Sequence, residues 1–126
     1  MVALGGAIGA VLRYGVSGWI HAHGSASFPW GTLVVNVAGS FALGFAYHVL
    51  SNSTASVELR TFVTIGLLGA FTTFSTFSYE AVALLQDGDW GRGIVYVAGS
   101  VLLGLVGIVA GLGLAALTLQ PGSQPT

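Results

Sequence analysis

Apolar residues fall in four long runs separated by short polar stretches. Residues 2–20 are apolar apart from Arg13 and small polar positions, and HAHGSAS at 21–27 ends that run. A second run covers 30–50, and SNSTASVELR at 51–60 separates it from a third at 61–85, whose only charge is Glu80. QDGDWGR at 86–92 carries two aspartates and two glycines, a strong breaker. The fourth run, 93–119, is uncharged. A helix needs about 20 mostly apolar residues to cross a bilayer. The pattern therefore predicts an all-α membrane protein, a single domain over 1–126 with four transmembrane helices and short loops. QPGSQPT at the end reads as a frayed tail. MVALGGAIGA lacks the positive segment of a secretory signal, so the first run is expected to stay in the mature chain.

Composition supports that reading. Charged residues are 6% of the 126, against roughly 25% in soluble domains. So few charges cannot clothe a water-facing surface. Lysine is absent and Arg13, Arg60 and Arg92 are scattered, which leaves no basic patch for nucleic acid. Without cysteine there is no disulfide, thiolate metal site or thiol nucleophile. Glu80 and three histidines form no acid–base or metal constellation, with His21 and His23 only two apart in a loop, so an enzyme is not expected. No GxxxxGK[ST] motif offers an ATP site. Trp19, Trp30 and Trp90 all fall at helix ends, where indoles favour the headgroup layer of the lipid bilayer. Arg60 lies on one side and Arg92 on the other. Arginine bias is near zero, so the chain is expected to insert both ways round.

Polar and small residues inside the runs carry the candidate chemistry. Gly5 with Gly9 and Gly107 with Gly111 are GxxxG pairs, and Ser40–Gly44 and Ser100–Gly104 are small-xxx-small pairs, all suited to close helix packing. Thr32, Asn36 and Ser40 share one face of the second helix, and Tyr96 and Ser100 share one on the fourth. Polar groups in hydrocarbon are costly and face a partner or a wet path. Two aligned stripes of neutral donors serve either interhelical hydrogen bonding or a pathway for a small anion. GAFTTFSTFSYE, Gly69 to Glu80, sets Thr72, Thr73, Ser75, Thr76 and Ser78 among three phenylalanines. Hydroxyls at that density compete with backbone hydrogen bonding, so the third helix is expected to break at mid-membrane. Freed carbonyls at such a break commonly coordinate a cation. Phe74 and Phe77 point to similar sides and either pack or present positive ring edges to an anion.

GGAIGAVLRY (Gly5–Tyr14), GTLVVNVAGSFALG (Gly31–Gly44) and GLLGAFTTFSTFSYE (Gly66–Glu80) resemble the signature segments of the Fluc, or CrcB-type, fluoride channels. The likeness runs over all four predicted spans. It implies an antiparallel, dual-topology homodimer with two fluoride pores in the cell membrane, exporting fluoride passively from the cytoplasm and relieving its toxicity. It implies a structural sodium ion, Na+, at the dimer centre, held by the main-chain carbonyls of Gly69 and Thr72. By the same resemblance Asn36, Phe74 and Phe77 belong to the pore, with Tyr96 and Ser100 as polar pore positions. Arg13 then lies near the aqueous vestibule, and Glu80 is the carboxylate just beyond the break. Where some members carry a further hydroxyl this chain has Gly104, which leaves the length of the polar track open. Small multidrug transporters share the four-helix dual topology but carry an acid in the first span, where this chain has Arg13. A non-transporting assembly subunit would have no use for so dense a polar track.

Overall fold

A computed structural model describes residues 1–119. The expected frayed tail, QPGSQPT, lies outside the described residues. Within them the chain builds four helical rods: α1 (Val2–His23), α2 (Trp30–Ser51), a compound rod over Val57–Gln86, and α6 (Trp90–Thr118). The compound rod comprises α3 (Val57–Thr61), a π-helical stretch (Phe62–Leu68), the single turn α4 (Gly69–Phe71) and α5 (Phe74–Gln86).

Capping sets the ends. Ser56 Oγ accepts from Leu59 N–H at 3.3 Å and starts α3, several residues earlier than the apolar run. Asp89 accepts from Arg92 N–H at 3.3 Å, so α6 begins at Trp90 rather than at 93. Gly88 between α5 and α6 has φ +79°, a left-handed conformation that favours glycine. Three rods, Trp30–Ser51, Val57–Gln86 and Trp90–Thr118, are long and apolar enough to cross a membrane by length and composition. The first rod has the 22 residues of α2, but Arg13, five glycines and the His21–His23 end dilute its apolarity.

Packing follows the glycines. A Cβ on Gly5 would come within 2.5 Å of the Phe62 carbonyl, and one on Gly9 would collide with the Leu67 carbonyl. The α1 helix thus lies backbone-to-backbone along the π-helical stretch. Gly44 against Ile108 and Gly111 against Phe41 do the same for α2 and α6, which run parallel and form the most extensive helix pair. Little side chain is buried: Leu33, Val35, Ala81, Tyr96, Ala115 and Thr32. Long apolar side chains point outward instead, with Val11 71% and Val109 67% exposed. That is an inside-out distribution for water and an ordinary one for lipid.

Candidate functional site: the interrupted helix and the cavity beside it

The compound rod is interrupted halfway along its 30 residues, where Thr72 and Thr73 are extended (ψ 159° and 119°). Side chains take over the hydrogen bonds that an unbroken helix would make. Thr72 donates both its N–H and its hydroxyl to the Leu68 carbonyl, at 3.2 and 3.1 Å. Thr73 N–H, which a helix would direct to Gly69, donates to Asn36 Oδ1 at 2.7 Å. Asn36 Nδ2 returns a bond to the Thr73 carbonyl at 3.0 Å. Thr76 N–H, which would serve Thr72, donates to Thr73 Oγ1 at 3.3 Å and so caps α5. The carbonyls of Gly69 and Thr72 are thereby released from the donors a helix would give them. The Ala70 carbonyl accepts from Arg13 Nε at 3.1 Å, which sets a cation against the negative end of α4.

A cavity of about 280 Å³ opens beside the break. Asn36, Ser40, Thr72, Thr73, Phe74, Phe77 and Ser100 line it, together with the aliphatic Leu43 and Val101. Ser100 Oγ is buried without a hydrogen-bond partner among the described residues. Phe74 and Phe77 have centroids 5.7 Å apart at 43°, and Phe74 is 79% exposed, so one wall of the cavity is open in the single chain. The positive end of α5 faces this space through Thr73 and Phe74.

Thr32 and Tyr96 sit elsewhere than their stripes suggest. Neither lines this cavity. Thr32 Oγ1 donates to Glu80 Oε1 at 3.0 Å and the Tyr96 hydroxyl donates to Oε2 at 2.7 Å, so both oxygens of this carboxylate are satisfied. Thr32 and Tyr96 are buried, and the Tyr96 ring packs against Phe77 (5.3 Å) and edge-on against Phe28 (5.5 Å). Arg13 lines a second recess, of about 340 Å³, with Tyr14, Ser17 and His21.

Three partnerships are not evident from spacing alone: Asn36 with the Thr73 backbone, Arg13 with Ala70, and Glu80 with Thr32 and Tyr96. The last had a signal. Thr32 and Tyr96 open two parallel helices, and Glu80 lies six residues before the end of α5, so all three share one depth. An acid at that depth demands donors.

Residues 1–112 match the family model described as CrcB-like protein, Camphor Resistance (CrcB). The chain belongs to the CrcB family. Among its curated relatives is a protein of Thermus thermophilus, named fluoride-specific ion channel FluC, 48% identical over 106 residues and covering 84% of each chain. A Rhizobium meliloti protein of the same name is 47% identical over 90% of this chain and 92% of its own. A third, from Hahella chejuensis, is 48% identical over 94% of each. The resemblance drawn from the three segments and the family match agree. The CrcB family is an ion-channel family rather than an enzyme family, and three rods of this chain are long and apolar enough to cross a membrane, as fits a channel.

Proposed function

We propose that this protein is a fluoride channel of the cell membrane, which lets fluoride leave the cytoplasm down its electrochemical gradient and so relieves fluoride toxicity. The observation that carries the reading is the cavity beside the broken helix, with neutral donors on three elements and no fixed positive charge in its lining. Fluoride is small and strongly hydrated, so a pore must replace its water with hydrogen-bond donors. A lysine at that place would bind it too tightly to let it pass. The free hydroxyl of Ser100, the second N–H of the Asn36 amide and the positive end of α5 supply that balance. Phe74 and Phe77 add ring edges of positive quadrupole. Thr32 and Tyr96 serve the same route one level away, by holding the Glu80 carboxylate in place so that it does not turn into the path.

The working unit is an antiparallel homodimer. Three features favour it: the open wall at Phe74, the scarcity of arginine bias, and the placing of Trp19, Trp30 and Trp90 at one end of the bundle. An antiparallel pair puts that aromatic set at both headgroup layers. The break fits a sodium ion because it releases the Gly69 and Thr72 carbonyls, hard oxygen acceptors that otherwise lack donors. Those two residues of each subunit would hold it, and the ion would supply only charge balance and cross-linking of the two breaks.

The test is fluoride efflux from liposomes holding the purified protein, followed with a fluoride-selective electrode. Rapid release of fluoride with chloride retained is the expected result; equal release of both, or of neither, contradicts the reading.

A further inference from the structure

Polar side chains recur every four residues along α6, at Tyr96 and Ser100, and the next position on that face is Gly104. The α2 helix runs parallel beside it and brings Ser40 to this level. A Cβ built on Gly104 would find Ser40 Oγ at 3.7 Å and no other atom within 4 Å. That is ordinary van der Waals contact, so position 104 has room for a side chain and its first neighbour is a hydroxyl. Ser40 and Ser100 line the same cavity. The hydroxyls of Thr72 and Ser78 donate to backbone carbonyls, and that of Thr73 donates to Thr76 Oγ1. The hydroxyl of Ser40 forms no hydrogen bond among the described residues, and Ser100 Oγ is buried without one. Each O–H can therefore be given to a passing anion.

We propose that Ser40 takes the place of the hydroxyl that α6 lacks at position 104, so that the anion route crosses from α6 to α2 at this depth. Fluoride leaving Ser100 is received by the Ser40 O–H, which lies 3.7 Å from where a Cβ on Gly104 would sit. The inference rests on the fluoride-channel reading, and its test separates the two.

Fluoride efflux is measured from liposomes for the parent, Ser40→Ala, Gly104→Ser and the double variant. Ser40→Ala removes one oxygen and favours helix, and gel filtration checks that its assembly matches the parent. It is expected to conduct at least tenfold more slowly. Gly104→Ser should conduct within about threefold of the parent. The double variant should recover most of the lost rate, because a serine at 104 has its Cβ 3.7 Å from the place Ser40 Oγ vacates and offers a hydroxyl beside it. A conducting parent with Ser40→Ala at full rate overturns the inference and leaves the channel reading standing, as does a double variant no faster than Ser40→Ala. A parent that passes no fluoride overturns the channel reading itself.

Discussion

Asn36 is the residue on which the site turns, because its amide pairs with both polar groups of the Thr73 backbone and fills a gap in the helix. Asn36→Asp keeps an acceptor for Thr73 N–H but sets a carboxylate oxygen against the Thr73 carbonyl and adds negative charge to the cavity. At ~4 Å and an effective dielectric of ~20, repulsion of a fluoride ion is about 4 kcal/mol. Fluoride efflux should fall by about a thousandfold in protein that still elutes as the parent does. Tyr96→Phe is a gentler probe. It removes one of the two donors to Glu80, a hydrogen bond to a charged group of roughly 1.5–3 kcal/mol. Thermal unfolding in detergent should report that loss as a lower Tm, while Phe74→Ile removes a ring edge from the cavity and should show its main effect in fluoride flux.

At the scale of the element, the broken helix owes its shape to side chains that outcompete its own backbone. Thr73→Ala deletes the cap of α5 and should cost about 1 kcal/mol, whereas Thr73→Ser keeps the cap and should restore it; chemical denaturation of the two variants makes the comparison. The break was legible in the sequence because five hydroxyls crowd seven residues, and short polar side chains bond locally in non-helical conformations. The π-helical stretch before it was not legible. FVTIGLL has no feature that distinguishes π from α turns, and that geometry arises where Gly5 and Gly9 bring α1 onto it. Helix ends moved by a few residues for a similar reason: the caps Ser56 and Asp89 lie in the polar stretches, outside the apolar runs. The stripes told which faces are polar but not what each hydroxyl meets. Thr32 and Ser40 share a face, yet one is bonded to Glu80 and the other lines the cavity. Glycine positions sort by the same test of partners. Gly9→Val should abolish folded protein, since its Cβ would collide with the Leu67 main chain, while Gly104→Ala should express and unfold like the parent.

For the molecule as a whole, the shortage of charge ties folding to topology. With one arginine at each end of the bundle and one between, no end is marked as cytoplasmic. Reporters fused to the C-terminus should therefore give signal from both sides of the membrane. Lysines added to the 51–60 loop should fix one orientation and reduce fluoride flux, since a single orientation cannot complete the antiparallel pair proposed above. The proposed sodium site is tested at the same scale: if two subunits share the ion, replacing sodium with a larger cation weakens their association without altering the driving force for fluoride.

The most direct test of the central claim is the reversal potential of the reconstituted protein in planar bilayers under independent gradients of fluoride, chloride and sodium. A passive fluoride-selective pore predicts a reversal potential that follows the fluoride gradient at its Nernst value and ignores the other two. A shift with chloride would contradict selectivity, and a shift with sodium would mean that the cation moves with fluoride and that the protein is a coupled transporter.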